Sequence, residues 1–419
     1  MTTRRHVIAM LGAGAGASAL TLWPRLTRAS TGADTRLLVL MLRGGLDGLH
    51  AIPPYGDPGY AALRGPLALS PAGPTAAGAA ALKLDATFAL HPALAFAASL
   101  YARGECLPIV AAAPPYWGRS HFEAQDCVEN GTASPDGAET GWLNRAVGAL
   151  HGEGLSLTTV MPLMMRGPVK VNSWSPPLAM RVGPILLQRL EPLYGDDPRL
   201  ARAFAEAIAQ QGDDISVDEA MSGPAPGMGM GMGMGAGGNA KPHPPIGAQL
   251  PGLMRAAGAF LAPADGPRIA FLEDYGWDTH ANQAPILARK LKELDDGLAA
   301  FHAAAATVWD RSVVVVVTEF GRTARINGTN GTDHGTGGGM FLVGGAVRGG
   351  RVAGEWSGMG SGRLYQDRDI LATTDQRAVF KGVLAQHLGL AEGVLASAVF
   401  PNSAKLAPSE GLVRARRPG

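Results

Sequence analysis

The sequence has little of what marks several classes of protein. Its formal net charge is only +1, which gives no electrostatic reason to expect nucleic acid or an anionic membrane as a partner. After residue 30 it has no apolar run of the ~20 residues that a membrane span needs. It has no G-x-S-x-G elbow, which disfavours an ordinary hydrolase triad, and its Gly44-Gly45 turn lacks the lysine and Ser/Thr of a P-loop.

Cysteine is also scarce, since Cys106 and Cys127 are the only two in the chain. An oxidising compartment would permit a disulfide between them. Two separate buried thiols are an equal alternative, and we assign neither cysteine a catalytic role.

Glycine and apolar residues are abundant instead. The chain has a hydrophobic fraction of 46% with 58 glycines and 31 prolines, which is too apolar for general disorder and predicts a compact sheet surrounded by long loops. Its 419 residues suffice for one large α/β domain or two modest ones. We predict a single domain over residues 34–408, with a flexible Gly/Met-rich insert at 223–247.

The first thirty residues have the features of an export signal. Arg4 and Arg5 precede a weakly apolar, Gly/Ala-rich stretch, and a small-residue site follows near Ala29. We predict a twin-arginine signal peptide over residues 1–30, and hence a periplasmic or secreted protein with no integral membrane segment after cleavage. The alternative is an N-terminal membrane anchor, which the short, glycine-diluted stretch disfavours.

Short apolar strands alternate with helices along the rest of the chain. Thr35–Leu42 and the valine run 313–317 predict fully buried strands, and Leu157–Met161 predicts a further one. Helices are predicted at Pro198–Gln211 and from Asn282 to about residue 307. The alternation implies an α/β fold with a mostly parallel, doubly wound sheet flanked by helices. Ligands of such sheets bind at the carboxyl ends of the strands.

Carboxylates and imidazoles recur in the polar turns that follow these strands. Such residues can bind one or two divalent ions, zinc or manganese being the best candidates. Each residue alone is a weak signal, because an Asp beside glycine is usually a turn former. Their repetition at strand ends favours a metal site. The candidate ligands are Asp47, His121, Asp278, His280, Glu319, Asp333 and His334.

Three further residues are candidates for catalytic roles. Ser120 fits a helix N-cap, with Glu123 completing a capping box, and it also fits a nucleophile at a helix N-terminus, where free amides stabilise an anion. Arg43 and Arg322 follow strands at the same edge of the sheet. Either arginine could order the loops through a salt bridge or bind a phosphate or sulfate group.

Several longer motifs are distributed along the chain. They are RGGLDGLHAIPPYGDPGY (43–60), GRSHFEAQD (118–126), GWLNR (141–145), WDTHANQ (277–283), TEFGRT (318–323), GTDHG (331–335) and TTDQRAVFKGVLAQHLGL (373–390). Together these motifs resemble the bacterial DUF1501 family of exported proteins. The resemblance covers nearly all of the chain after the predicted signal, apart from the Gly/Met-rich insert.

DUF1501 is grouped with the alkaline phosphatase-like superfamily, which includes sulfatases and phosphodiesterases. The resemblance implies a core of that fold. It also implies that Asp47 corresponds to the superfamily's first-strand metal Asp, and that Asp278 and His280 resemble the Asp…His pair of one metal site. Glu319 falls where a strand-end metal Asp is expected, and His334 resembles the late metal-binding His.

The resemblance further implies an exported metal-dependent hydrolase of phosphate or sulfate esters, small or polymer-borne. Ser120 would be the nucleophile, or a water would take that role. Phe320 stands where the superfamily usually has histidine, so one imidazole is missing. This departure supports the alternative, a catalytically degraded member that acts as a periplasmic metal-binding or assembly protein.

Overall fold

The computed structural model describes residues 34–74, 79–176 and 250–414. All of these residues except Pro176 lie in one compact unit. The predicted signal peptide, the helix predicted at Pro198–Gln211 and the predicted insert at 223–247 lie outside the described residues. Within the described ranges, no helix is both long and apolar enough to cross a membrane.

The centre of the unit is an eight-stranded sheet, accompanied by a small separate hairpin of β2 and β3. Across the large sheet the strands follow the order β10-β4-β9-β8-β1-β7-β5-β6 once they are numbered along the chain. The numbered strands are β1 (Arg36–Leu42), β2 (Leu82–Lys83), β3 (Ala89–Leu90), β4 (Cys106–Ala113), β5 (Gly154–Ser156), β6 (Asn172–Ser173), β7 (Ile269–Asp274), β8 (Ser312–Thr318), β9 (Gly338–Val343) and β10 (Thr374–Asp375).

The large sheet is mixed and mostly parallel, which confirms the predicted α/β architecture. Within it, β9 runs antiparallel to both of its neighbours, β4 and β8. The connection from β8 to β9 has no helix that would carry the chain back, so it stays at one edge of the sheet and returns in the opposite direction. As a consequence, the carboxyl ends of β1, β4, β7 and β8 share one edge with the whole of this long loop.

Both faces of the sheet are buried. Along β1, Leu38 and Leu40 pack into one hydrophobic cluster, whereas Leu37 and Val39 pack into the other. A strand covered on both faces needs no polar alternation, which explains the unbroken apolar runs in the sequence.

Helices cover the two faces. The long helix predicted from Asn282 is present, and it buries one apolar stripe in the first cluster: Leu287, Leu291, Leu294, Leu298 and Phe301. The helices are α1 (Gly48–Ala51), α2 (Tyr60–Arg64), α3 (Ala95–Ala102), α4 (His121–Asn130), α5 (Trp142–Ala149), α6 (Leu250–Leu261), α7 (Gln283–Ala304), α8 (Gln376–Leu388) and α9 (Glu392–Val394).

The strand predicted at Leu157–Met161 is wrong. Strand β5 ends at Ser156, and only the backbone N–H of Leu157 continues the ladder, to the Phe271 carbonyl. The Thr158 hydroxyl then donates to the Val160 carbonyl at 2.9 Å. This local side-chain bond turns the chain away from the sheet, as Thr side chains commonly do at the ends of strands.

Two buried histidines lie close together, His50 in α1 and His91 directly after β3. His50 is fully buried, His91 is nearly so, and their ring centroids are 5.0 Å apart. Burial lowers the pKa of His50 to about 3 and the pKa of His91 to about 4. Both imidazoles therefore stay neutral in the folded protein between about pH 6.5 and pH 5, the range in which the unfolded chain becomes protonated.

We expect this pair to make folding sensitive to mild acid. Below the unfolded pKa of about 6.5 only the unfolded state gains the protons, so each histidine should cost about 2 kcal/mol of stability by pH 5. In His50→Leu, the fall in the free energy of unfolding between pH 7.5 and pH 5 should be about 2 kcal/mol smaller. Urea unfolding at the two pH values measures it. The exposed His151, changed to Asn, is the control, and equal falls in wild type and His50→Leu would refute the prediction.

Candidate metal centre

Four side chains converge at the carboxyl edge of the sheet. His121 is the first residue of α4, which follows β4. Asp278 and His280 lie in the turn between β7 and α7, and His334 lies in the long loop between β8 and β9. Parallel strands therefore bring together residues that are far apart in the sequence, as expected for an open α/β sheet.

The ligating atoms of these residues are in direct contact. The Nε2 atom of His334 lies 2.9 Å from Nε2 of His121 and 2.9 Å from Nε2 of His280. Asp278 Oδ1 is 2.9 Å from His280 Nε2 and 3.3 Å from His334 Nε2. His121, Asp278 and His334 offer donor atoms that all lie within 4.8 Å of one another, the single such grouping in the described ranges.

The other ring nitrogen of each histidine is bound to an acceptor. His121 Nδ1 lies 2.7 Å from Glu319 Oε1, and His280 Nδ1 lies 3.2 Å from Asp333 Oδ1. His334 Nδ1 lies 3.0 Å from the Arg119 carbonyl oxygen. A carboxylate or carbonyl can only accept, so each Nδ1 carries a proton and each ring directs its Nε2 atom towards the others.

This arrangement favours positive charge, either as protons on the rings or as a bound cation. Three imidazole lone pairs and a carboxylate that face one another repel unless positive charge lies between them. Burial alone would lower the pKa of His121, but hydrogen bonds to Asp278 and Glu319 outweigh it and raise the pKa to about 9. Burial would likewise raise the pKa of Asp278, yet its contacts with His121, His334 and Arg322 hold that pKa far below the usual range.

The donor set fits a divalent ion that prefers nitrogen. Donors on a tetrahedral zinc ion lie about 3.3 Å apart, given Zn–N bonds of about 2.0–2.1 Å. The 2.9 Å contacts between Nε2 atoms would need to open by only a few tenths of an ångström. Imidazole suits zinc better than manganese, which prefers oxygen. Asp278 and His280 are each 43% exposed, so the centre is open to solvent on their side.

Glu319 and Asp333, which were predicted as metal ligands, contact the Nδ1 atoms of His121 and His280 instead. Glu319 is fully buried, and its carboxylate accepts from His121, from the amide of Gln125 and from the backbone N–H of Gly44. Asp333 accepts from His280 and Asn327. In this structure both carboxylates orient imidazoles, which is the usual role of groups behind a metal ligand.

Asp47 lies apart from the grouping. Its carboxylate caps α1 through the backbone N–H of Leu49, accepts from Gln283 at 2.6 Å and forms a buried ion pair with Arg64. Burial would raise the pKa of Asp47, but the Arg64 guanidinium outweighs it and lowers the pKa. The structure thus uses this carboxylate to join α1, α2 and the start of α7.

Arg43 and Arg322 are both engaged within the protein. Arg43 pairs with Glu129 and Glu273. Arg322 is 1% exposed and donates to Asp278 and to backbone carbonyls of the surrounding loops, those of Gly44, Gly45, Trp277 and Thr332. Two roles were predicted for these arginines, the ordering of loops and the binding of a phosphate or sulfate group. The contacts in the structure are those of loop ordering.

The start of α4 differs from the predicted capping box. Ser120 occupies the N-cap position with an extended backbone, but its side chain makes no capping hydrogen bond. The Glu123 carboxylate accepts from the Tyr116 hydroxyl instead of reaching back to Ser120. The capping box is therefore wrong, and the helix begins at His121 with its first N–H groups uncapped by any side chain.

Phe320 forms an apolar wall behind the imidazoles. It is 2% exposed, and its ring centroid lies 4.7 Å from that of His121 and 5.1 Å from that of His334. A histidine at this position would have added a polar ring to the same layer. The aromatic ring instead fixes the two ligand rings by packing.

Sequence reasoning missed several residues that support the centre. Gln125 had a usable signal, because it lies one helical turn after His121 on the same face of α4. The carbonyl of Arg119 had none, since any residue supplies a carbonyl. Asn327 donates to Asp333 and to the His280 carbonyl. Nothing in the sequence distinguishes it from other polar loop residues.

We predict that Glu319→Gln weakens zinc binding about 10–100-fold, the range found for groups that orient metal-bound histidines. Glutamine can still accept from His121 Nδ1, but it lacks the charge that raises the basicity of the ring. Competition with a chromophoric chelator measures the dissociation constant. Glu392→Gln, on an exposed helix far along the chain, is the control. An unchanged zinc affinity in Glu319→Gln would show that the carboxylate does not support the ion.

The fold and the site define an α/β protein with a candidate metal centre at the carboxyl edge of its sheet. Residues 199–399 match the DUF1501 family, whose description is "Protein of unknown function". The match supports the resemblance to DUF1501 and includes Asp278, His280, Glu319, Asp333 and His334, whereas Ser120 and His121 precede it. No curated protein and no solved structure shows significant similarity to the chain.

Proposed function

We propose that the protein is an exported metal-dependent hydrolase of phosphate or sulfate esters. One observation carries the proposal: His121, His280 and His334 present three Nε2 atoms to Asp278, with each Nδ1 tied to an acceptor. Imidazole and carboxylate are the ligand types of hydrolytic zinc sites, which keep one position for water or substrate and can expand to five-coordinate. We therefore propose one ion for the centre, because Asp47, Glu319 and Asp333 are engaged by other partners.

In the proposed reaction, different residues bind the ion, orient its ligands and exclude water. When bound, a divalent ion supplies Lewis acidity, which activates an oxygen nucleophile and polarises the ester. His121, His280, His334 and Asp278 hold that ion. Glu319 and Asp333 fix the tautomers of their histidines, and the Phe320 ring keeps water from the inner side of the centre. The exposed side at Asp278 and His280 admits the substrate.

The start of α4 supports an anionic substrate. The first N–H groups of this ten-residue helix have no side-chain cap, and the helix begins at a metal-ligand candidate, His121. Backbone amides and the helix dipole favour a negative group at such a position. Ser120 stands at the same point with a hydroxyl free of any capping bond. We propose Ser120 as the nucleophile, with a water molecule as the alternative.

The proposed fold family is the alkaline phosphatase-like superfamily. Its support is the mostly parallel sheet, the convergence of the candidate ligands at the carboxyl edge and the resemblance of the DUF1501 motifs. The proposed location is the periplasm or the cell exterior, reached by the twin-arginine route. Cell fractionation that recovers the protein only in the cytoplasm would contradict this location.

A second function is a metal-binding or assembly protein without catalysis. The engagement of Arg43 and Arg322 favours it, because neither guanidinium is left to stabilise charge on a transferred group. The missing imidazole at Phe320 points the same way. This reading predicts metal binding without turnover, so the two functions separate in one assay.

The assay is hydrolysis of aryl phosphates, phosphodiesters and aryl sulfates by protein supplied with zinc or manganese. We expect metal-stimulated cleavage of at least one class of ester. If Ser120 is the nucleophile, Ser120→Ala should lower kcat by at least about 100-fold, while Ser397→Ala leaves it unchanged. If a water molecule attacks, Ser120→Ala should have little effect. Stoichiometric metal with no cleavage across the panel would support the non-catalytic function.

A further inference from the structure

Two arginines contact His334, one at its ring and the other at its backbone carbonyl. The carbonyl oxygen of Arg119 accepts from His334 Nδ1 at 3.0 Å, and Nη1 of Arg368 donates to the His334 carbonyl oxygen at 2.8 Å. Both residues are therefore tied to the same candidate ligand. Neither side chain was assigned a role from the sequence.

Their guanidinium groups share one buried carboxylate. Arg119 Nε donates to Asp369 Oδ2 at 2.8 Å, and Arg368 Nη1 donates to Asp369 Oδ1 at 2.8 Å. Asp369 is fully buried, so this carboxylate is committed to the two arginines. Two guanidinium groups thus share one carboxylate, which cannot neutralise both of them.

Both guanidinium groups keep N–H groups for a further partner. Within the described residues, the hydrogen bonds of Arg368 all use Nη1, and those of Arg119 use Nε and Nη2. The side chains are 39% and 25% exposed, respectively. Arg322 and Arg43, by contrast, are at most 10% exposed and fully engaged. Arg119 and Arg368 can therefore contact a ligand at this edge.

The backbone that carries these groups is held in an uncommon conformation. Arg119 has a φ of 61°, and the neighbouring loop has Gln366 at 53° and Asp367 at 52°. Left-handed conformations of non-glycine residues cost free energy and cluster at ligand-binding sites. The Arg119 side chain also reaches across to Gln366 at 2.7 Å, so the two loops brace each other.

We propose that Arg119 and Arg368 bind the anionic group of the substrate, a tetrahedral phosphoryl or sulfuryl oxyanion, and so set the specificity of the centre for monoesters. This inference rests on the proposed hydrolase function. Guanidinium forks match the oxygens of such groups in bidentate geometry. The anion-binding role that the sequence suggested for Arg43 and Arg322 is thus assigned to Arg119 and Arg368. These two residues precede and follow the β8–β9 loop that carries His334.

The test is calorimetric titration of the full chain with inorganic phosphate and, in a second arm, inorganic sulfate. Each titration is made on zinc-loaded and on metal-free protein. Arg368→Gln should raise the dissociation constant for the preferred anion about tenfold, the size of one charge-assisted contact. Arg368→Lys should fall between wild type and Arg368→Gln. Arg363→Gln, exposed in the same loop, should bind as wild type.

The zinc content of each variant distinguishes a loss of anion contacts from a disruption of the metal centre. We expect Arg368→Gln and Arg119→Gln to retain the zinc content of the wild type while anion affinity falls. Anion affinities equal to that of Arg363→Gln would overturn the inference, as would a loss of affinity that only follows a loss of zinc. If metal-free protein still binds phosphate through Arg368 but no ester is cleaved, the hydrolase function fails and the anion site stands. If esters are cleaved with the KM of Arg368→Gln unchanged, the anion site fails alone.

Discussion

Replacing His334 with asparagine is expected to weaken zinc binding at least about 100-fold, beyond the range found for groups that only orient a ligand. His334 Nε2 contacts the Nε2 atoms of both His121 and His280, so its loss removes the central donor. The asparagine amide can still donate to the Arg119 carbonyl in place of Nδ1–H, so the loop should keep its conformation. The zinc dissociation constant, measured by chelator competition, reports the effect.

The matched control is His151→Asn, which makes the same chemical change at an exposed histidine. Asparagine tolerates the left-handed backbone that His151 adopts, with a φ of 48°. This variant should bind zinc as tightly as wild type. If His334→Asn also binds zinc within a few-fold of wild type, then the convergence of the imidazoles is not a metal centre.

The second large effect is expected from Arg64→Met, which should lower the free energy of unfolding by about 3–5 kcal/mol. Arg64 is fully buried and pairs with Asp47, which has no exposed surface either. Removal of the guanidinium leaves a buried carboxylate with only Gln283 and the Leu49 amide as partners. The midpoint of urea unfolding at pH 7 measures the change.

Lys292→Met provides the comparison, because Lys292 pairs with Asp296 on an exposed face of α7. A surface pair of this kind contributes at most about 1 kcal/mol. Combining Arg64→Met with Asp47→Asn should recover part of the lost stability, since no buried charge then remains. Equal effects of Arg64→Met and Lys292→Met would refute the structural role of the Asp47–Arg64 pair.

That pair also connects to the metal centre. Gln283 donates to Asp47 and accepts from the hydroxyls of Thr279 and Thr332. Thr279 lies between Asp278 and His280, and Thr332 precedes Asp333. The network therefore fixes the two turns that carry ligands. Zinc affinity should fall in Arg64→Met together with stability, whereas Lys292→Met should change neither.

The buried strands of the sheet could be predicted from the sequence for a physical reason. Runs such as Val313–Val317 are apolar at every position, which is typical of a strand buried on both faces. The polar residues that follow such a run are therefore expected at the end of the strand. The antiparallel direction of β9 could not be read from its residues. Direction depends on whether a helix carries the chain back, and the loop from Glu319 to Gly337 has no helical pattern.

The division of the candidate ligands into inner and outer groups could not be predicted. Glu319, Asp333 and Asp278 are all carboxylates in turns, and only their partners distinguish them. The partners of Glu319 lie 194 to 275 residues away, at Gln125, His121 and Gly44. Asp47 is a metal candidate in the sequence because it follows β1 in a polar turn, and nothing in the sequence around Arg64 indicates the buried cation that pairs with it.

The central claim is that His121, Asp278, His280 and His334 hold one metal ion. Elemental analysis of the full chain, purified without chelators and dialysed against metal-free buffer, tests it most directly. We predict one zinc-like ion per chain, and a content near zero in His334→Asn prepared in parallel. A folded wild-type protein that carries no metal, and takes up none when zinc is supplied, would contradict the claim.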